Sequence, residues 1–297
     1  MAMTNDKTIL ITGVTGNQGG AVAQSLQSSG FRLRGLTRKP DSERAAALAR
    51  QGIEIVKGDL DDEASLRRAL EGVWGVFSVQ NAGEAGVVRE EAQGKRLAML
   101  ARGLGVEHYV YTSVGSANKR TGVPHFDSKG RIEETVRGLG FPSHVILRPV
   151  FFMENLLAPY TLQGSSLAVA LAPGVNLQMI AVDDIGWFGA RAFTQAAAMN
   201  RREIDLAGDV TTMPEAAEIL AKALGRPIAF ARTPIEQVRK FSEDLALMME
   251  WFENVGYSAD ILGLEREFGR KLTKLPDWAR NHARPNGAET KNSFIAA

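Results

Sequence analysis

The chain has 297 residues, 44% hydrophobic and 23% charged, with a formal net charge of +1. That length supports a substantial core, and that balance makes a globular rather than a disordered chain the expectation and gives no electrostatic case for nucleic acid or a membrane surface as main partner. The absence of cysteine excludes disulfides, thiolate catalysis and cysteine-ligated metals, and the four histidines show no metal-ligand spacing, so no metal site is expected.

The opening residues Met1–Asp6 lack the basic and apolar regions of a signal peptide, and no run of about 18 apolar residues occurs. The expectation is therefore a cytoplasmic protein without a membrane partner. The first element is a strand, Thr8 to Ile11, that runs into Thr12-Gly13-Val14-Thr15-Gly16-Asn17-Gln18-Gly19-Gly20 and then a helix. A strand feeding a glycine-spaced turn and a helix presents backbone N–H groups at the positive end of the helix dipole, which suits a pyrophosphate. Gly13 permits the tight turn, Gly16 the approach of a ligand, and Gly19 the close seating of helix on strand. Phe31 to Thr37 reads as a second strand, closed by Arg38-Lys39-Pro40. A carboxylate is expected there in a site for NAD; two cations stand instead, and a guanidinium suits the 2′-phosphate of NADP. NADP(H) is therefore favoured over NAD(H).

A helix from Ser42 to Gln51 and a third strand from Ile53 follow, the latter ending at Gly58-Asp59-Leu60. Asp59 is the ligand candidate there, and Asp62 the cap of a helix from Ala64 to Leu70. Val73 to Asn81 is a fourth, largely apolar strand, as in a covered parallel sheet. A helix from Val88 to Gly103 carries Lys95, whose pattern alone reads as a surface lysine. Val106 to Ser113 delivers Ser113 to the sheet's carboxyl edge. A helix from Phe126 to Leu139 carries Lys129, and a sixth strand runs from Ser143 to Leu147. Strict strand–helix alternation of this kind predicts an α/β fold with a doubly wound parallel sheet of the Rossmann type.

Past Pro149 the pattern changes. Phe151 to Leu157 starts a helix or loop, in which Glu154 and Asn155 also suit a helix cap. Leu177 to Val182 and Glu203 to Leu206 read as short strands, with Asp183-Asp184 capping a helix from Ile185 to Ala198. Thr211 to Leu224 reads as a helix with Pro214 in its first turn. Ile228 to Ala231 suits an edge strand. Ile235 to Gly256 reads as one long helix with an apolar stripe at Val238, Phe241, Leu245, Met248, Met249 and Phe252. The tail from Ala279 to Ala297 has few apolar residues besides Phe294 and Ile295 and is expected to be mobile. Residues 1–150, with return segments at about 176–208, form the expected NADP-binding domain. Residues 151–175 and 209–297 form a smaller C-terminal lobe for substrate or partner.

In extended short-chain dehydrogenases a tyrosine four residues before a lysine supplies the proton, and a serine orients the carbonyl. Here Lys129 and Ser113 are present, but His125 stands where the tyrosine belongs. The glycine fingerprint, the Asp59 turn, Gln93-Gly94-Lys95, the stretch His125 to Gly130 and the stretch Met153 to Leu157 together resemble the NmrA-like family of atypical short-chain dehydrogenases. The resemblance spans about residues 7 to 280 and extends to the stretch Lys271 to Trp278. It implies that Gly13, Thr15, Gly16, Asn17, Gln18 and Gly19 cradle the pyrophosphate, and that Arg38 and Lys39 hold the 2′-phosphate. Asp59 and Leu60 border the adenine, and Val79, Gln80 and Asn81 the adjacent ribose. Lys95 and Lys129 reach the nicotinamide end, over which Phe152 to Asn155 close, with Phe152 and Asn155 in contact.

The resemblance implies one of two functions. One is an NAD(P)H-dependent reductase of a quinone-like or conjugated carbonyl small molecule, with Lys129, His125 and Ser113 as its catalytic candidates. The other is a non-catalytic NADPH/NADP redox sensor acting through a partner protein. An imidazole is a poor stand-in for a lysine-tuned phenol, so alcohol-dehydrogenase chemistry is the less favoured reaction. Pattern alone also leaves Ser113 open as a strand-end cap and His125 as a solvent-facing loop residue. A monomer or a dimer is expected.

Overall fold

The computed structural model describes residues 6–283. Buried aliphatic runs set the first half. Strands β1 (Thr8–Ile11), β2 (Arg32–Thr37), β3 (Glu54–Lys57), β4 (Val73–Ser78), β5 (His108–Thr112) and β6 (Ser143–Pro149) alternate with helices α1 (Asn17–Leu26), α2 (Glu43–Arg50), α3 (Glu63–Leu70), the short α4 (Ala82–Ala85), α5 (Val87–Gly103) and α6 (Pro124–Gly138). The strands align in the order β3-β2-β1-β4-β5-β6, each pair parallel, and β11 (Glu203–Leu206) extends the sheet beyond β6. Chain order reverses between β1 and β4, the switch point at which open α/β sheets form a crevice at the strands' carboxyl ends. The doubly wound parallel sheet expected from the alternation is therefore present.

Two compact units emerge. The first runs to Ser113 and takes in Ser128–Arg148 and Ile185–Ile204; the second comprises Val114–Asp127, Pro149–Asp184 and the chain from Asp205 onward. One core of the first unit packs Leu10, Val76, Tyr109, Tyr111 and Ile146 against Leu97, Ala101, Ile132 and Val136 of α5 and α6. Helix α7 (Val182–Thr194) reaches α1 through glycine: a Cβ at Gly186 would lie 2.7 Å from the Ala21 carbonyl oxygen, and one at Gly189 2.5 Å from Val22 Cγ2.

The second unit holds two three-stranded sheets. One is β12-β10-β7 (Asp209–Thr211, Leu177–Ile180, Phe151–Phe152) and the other β13-β9-β8 (Ala229–Arg232, Ser166–Val169, Leu162–Gln163). Its core gathers Phe126, Met179, Leu220, Trp251, Phe252 and Trp278. Thr212 caps α9 (Met213–Leu224) in a reciprocal capping box with Glu215, and Pro214 sits in the first turn, as the sequence pattern requires. Among the described residues strand β13 pairs with β9 alone and is the expected edge strand.

Several expectations need correction. Asp184 does not cap α7. That helix starts earlier, at Val182, and the buried Asp184 carboxylate instead binds Arg270 and the Thr273 amide. The long helix expected over 235–256 is two, α10 (Ile235–Phe241) and α11 (Glu243–Asn254). Ser242 turns extended between them, and its hydroxyl accepts from the Leu245 amide to start the second. A helix-competent pattern thus yields to a good cap in mid-run. Phe241, expected in the buried stripe, is 81% exposed at the break. Two more helices follow, α12 (Ile261–Phe268) and α13 (Leu275–His282), with α8 (Ala196–Met199) earlier in the chain. The expected tail therefore begins too early: Ala279 is fully buried on α13, while Phe294 and Ile295 lie outside the described residues. Among the described residues no helix is long and apolar enough to cross a membrane.

Candidate functional site

The glycine turn is shaped by what it cannot accommodate. Gly13 has φ +58°, and a Cβ there would lie 2.7 Å from Val79 Cγ1. A Cβ on Gly19 would lie 2.4 Å from the Gly13 carbonyl oxygen and 2.5 Å from that of Thr12, so only glycine lets α1 sit this close to the end of β1. Gly16 donates its amide to the Gly13 carbonyl at 2.8 Å and stands at the N-cap of α1, where no side chain caps the helix. By contrast Ser42, Asp62, Asn81 and Asp260 cap their own helices by side-chain hydrogen bonds. The first amides of α1, at Asn17, Gln18 and Gly19, thus form the uncapped positive end of a ten-residue helix at the switch point. The Gln18 side chain faces away from that task. It is buried and accepts from Thr112 Oγ1 at 2.6 Å. Thr12 ties β1 to β4, its hydroxyl accepting from the Val79 amide at 2.8 Å.

At the expected adenine end Arg38 is already ion-paired. Arg38, half exposed, donates to Glu84 of α4, which holds its guanidinium above its usual pKa. Lys39 donates its amide to Thr37 Oγ1 at 3.2 Å. Asp59 Oδ1 accepts from the Asp61 amide at 3.0 Å, and the Leu60 carbonyl from Arg96 at 2.7 Å. Asp62, as expected, caps α3. Asp61, which the sequence pattern does not single out, gathers Arg89, Gln93 and Arg96, and its carboxyl is held low chiefly by Arg89. Asn81 accepts from the Gly83 amide at 2.9 Å to start α4.

The chemistry-bearing cluster of the first unit is buried. Lys129 on α6 is 1% exposed and its ammonium lies 2.7 Å from Glu90 Oε1 on α5, itself fully buried. Ser128 Oγ donates to Glu90 Oε2 at 3.1 Å, and Lys129 Nζ donates to the Gln80 carbonyl at 3.4 Å. Gln80 Nε2 donates to Ser78 Oγ at 3.0 Å, while Gln80 Oε1 and the fully buried Ser113 Oγ have no hydrogen-bond partner among the described residues. Ser113 is a strand-end residue by its amide, which donates to the Leu147 carbonyl at 2.7 Å, but its hydroxyl caps nothing. Lys95 does not join this cluster. It pairs at 2.6 Å with Glu91, which also holds Arg131, and it is a third exposed.

In the second unit His125 is buried, not solvent-facing, because α6 begins at Pro124 rather than at Phe126. Its Nδ1 lies 2.6 Å from Asp244 Oδ2, and its amide donates to Asp244 Oδ1 at 2.9 Å. Burial raises the Asp244 carboxyl, but the two bonds and the charge of His125 leave it below its ordinary value. Phe152 is 1% exposed, and Asn155, 4% exposed, has no partner at Oδ1 among the described residues. Glu154 is no helix cap: it accepts from the Val182 amide and from Trp278 Nε1, and burial raises its carboxyl. Burial drives three of the four tyrosines, Tyr109, Tyr111 and Tyr257, upward, away from the range of a tuned acid.

A family model described as the NmrA-like family matches residues 5–282. An NmrA-like family domain-containing protein of Dictyostelium discoideum is 25% identical over 288 residues, 91% of this chain and 94% of that one. A (4-alkanoyl-5-oxo-2,5-dihydrofuran-3-yl)methyl phosphate reductase of Streptomyces griseus is 28% identical, over 93% of this chain and 98% of that one. Several fungal NmrA-like oxidoreductases are 33–35% identical, but the chain spans only about half their length. Among solved structures, an NADPH-dependent quinone oxidoreductase of Escherichia coli complexed with NADPH is 25% identical, with TM-score 0.78 over 92% of this chain and 99% of that one. NmrA, a negative transcriptional regulator in complex with NADP, shares the fold at 18% identity and TM-score 0.74, over 93% of this chain and 94% of that one.

Proposed function

The chain belongs to the NmrA-like family, and from that premise we propose that it binds NADP(H) and works as an NAD(P)H-dependent reductase of a quinone-like or conjugated carbonyl small molecule. The observation that carries the cofactor reading is the seat of Gly19: α1 is pressed so close to Gly13 that a single Cβ is excluded, and its uncapped amides are left for an anion. The residues present fit a dinucleotide in a second respect. Gln80 Oε1 and Ser113 Oγ are buried polar atoms without partners among the described residues, and such atoms ordinarily find one. When bound, NADPH supplies the hydride. The chain supplies the rest: the α1 amides hold the diphosphate, Arg38 and Lys39 the 2′-phosphate, and Lys129 and Ser113 donate hydrogen bonds at the end where the reaction occurs.

Absence of a tuned phenol favours acceptors whose reduction does not depend on one, and His125 backed by Asp244 is the candidate proton donor. The named substrates of two relatives support that class: a 5-oxo-2,5-dihydrofuran and a quinone are both electron-poor conjugated acceptors. The test is oxidation of NADPH by purified protein with a panel of quinones and enones. Turnover above a no-protein blank is expected; a panel without any would remove the reductase reading.

The second reading is a redox sensor, favoured by one observation, the histidine at the tyrosine position. It requires unequal affinity for NADPH and NADP, since a ligand that binds two states equally shifts neither. Titration of both forms decides it, and equal constants would exclude sensing. The protein acts in either case on a small molecule or through a partner protein, as monomer or dimer, in the cytoplasm.

A further inference from the structure

Helix α5 carries two adjacent glutamates with opposite fates. Glu91 lies outward among Arg131 and Lys95. Glu90 is fully buried, and a buried carboxylate persists only if it is paired and hydrogen-bonded. Oε2 accepts from Ser128 Oγ, and Oε1, which has no hydrogen-bond partner among the described residues, faces the Lys129 ammonium as an ion pair at 2.7 Å. One turn further on, a Cβ at Gly94 would lie 2.6 Å from Ile132 Cδ1, so α5 and α6 are pressed together beside the pair. Glu90 with Gly94, and Ser128 and Lys129 with Ile132, are therefore the facing residues of one tight helix–helix contact.

A lysine stem has many rotamers, and its ammonium has three donors. Here the Glu90 carboxylate holds the ammonium as an ion pair, and one donor is aimed at the Gln80 carbonyl, just past the end of β4. No further acceptor lies against the ammonium among the described residues. We propose that Glu90 is a positioning residue: through the contact of α5 with α6 it fixes Lys129 Nζ at the carboxyl edge of the sheet, with donor capacity left for an oxygen of the bound dinucleotide. This rests on the NADP(H) reading of the site, and it adds to that reading a residue on a separate helix that never touches the ligand.

The experiment is a double-mutant cycle on the full chain, read by NADPH titration with thermal melting alongside. Glu90→Gln keeps shape and can still accept from Ser128, but no longer pairs with a cation. It is expected to weaken NADPH about tenfold, as is Lys129→Met. The double variant should bind no more weakly than Lys129→Met alone, since Glu90 acts only through Lys129. Glu90→Asp keeps the charge one methylene short and should fall between wild type and Glu90→Gln; it serves in the same cycle should Glu90→Gln not fold. A purely structural glutamate would lower the melting temperature and leave affinity below the melt unchanged. Wild-type affinity in Glu90→Gln, or losses that multiply in the double variant, would overturn the positioning role while leaving the cofactor site intact. A wild-type chain that binds no NADPH would instead remove the cofactor reading, and the role of Glu90 with it.

Discussion

Replacing Gly19 by alanine tests the site at its tightest point. The added Cβ would stand 2.4 Å from the Gly13 carbonyl oxygen, 2.5 Å from that of Thr12 and 2.6 Å from the Gly13 carbonyl carbon. Ordinary contact begins at 3.4 Å, so the shortfall against the first of these is 3.4 − 2.4 = 1.0 Å. All three are backbone atoms and none can rotate away; α1 must back off from β1. Such a shift also disturbs the close contact that α7 makes with α1 through Gly186 and Gly189. Overpacking of this kind costs about 1–3 kcal/mol, and three immovable backbone contacts put it at the upper end, about 3 kcal/mol. The better helix propensity of alanine returns about 1 kcal/mol, for a net loss near 2 kcal/mol. The functional loss should be larger, since an ångström of misplacement in a positioned site costs on the order of 100-fold. Urea denaturation and NADPH titration measure the two effects. Gly103→Ala is the control, for nothing lies within 4 Å of its Cβ and it ends a helix. Wild-type NADPH affinity in Gly19→Ala would refute the placement of the diphosphate at this turn.

Arg38→Ala should narrow the preference for NADPH over NADH by about tenfold, the scale of one charge-assisted bond; an unchanged ratio in calorimetry would show that the 2′-phosphate is read elsewhere. Because Glu84 occupies Arg38, Glu84→Gln should widen that preference in the same titration. Arg148, 4% exposed, binds the fully buried Glu133, so Arg148→Met should destabilise by about 3 kcal/mol in urea, and Arg148→Met with Glu133→Gln should recover much of it. Arg137 and, less, Arg148 hold the Glu203 carboxyl at about 2, against the opposing effect of burial. A depressed carboxylate contributes stability that is full above its unfolded value near 4.5 and lost as pH falls through about 2. With its side chain 30% exposed, that is about 1–2 kcal/mol after screening. The melting-temperature gap between wild type and Glu203→Gln should therefore close between pH 5 and pH 2, and a constant gap would contradict the assignment.

The first half of the fold was legible because its strands are short apolar runs punctuated by glycine, and the sheet order follows from their alternation. The second unit was less so. Strands β8 and β12 have two and three residues, too short to show a period, and Ser242 breaks a run whose apolar spacing alone predicts continuity. In the site the cations were legible, since Lys129 and Arg38 stand at fixed distances from the motif. Their carboxylate partners were not. Glu90, Glu84 and Asp244 lie 39, 46 and 119 residues from Lys129, Arg38 and His125, and no local pattern pairs groups so far apart. Glu90 did leave one trace. It shares the helical face of Gly94, Leu97 and Ala101, residues that are buried on α5, and an acid in a core register demands a buried cation.

Those hidden carboxylates change what the substituted tyrosine means. In a tyrosine–lysine pair the lysine serves the phenol; here Lys129 is committed to Glu90, and the imidazole four residues earlier has its own acid in Asp244. The two positions of one helix are thus supported separately, each by a carboxylate from a different element. Loss of the tyrosine therefore need not leave an idle lysine. An ion pair buried at the sheet edge is no more stable than the same volume of apolar side chain, so stability alone does not account for it. A fixed ammonium donor at the dinucleotide does account for it, and that is a requirement a reductase shares with a sensor that must tell NADPH from NADP.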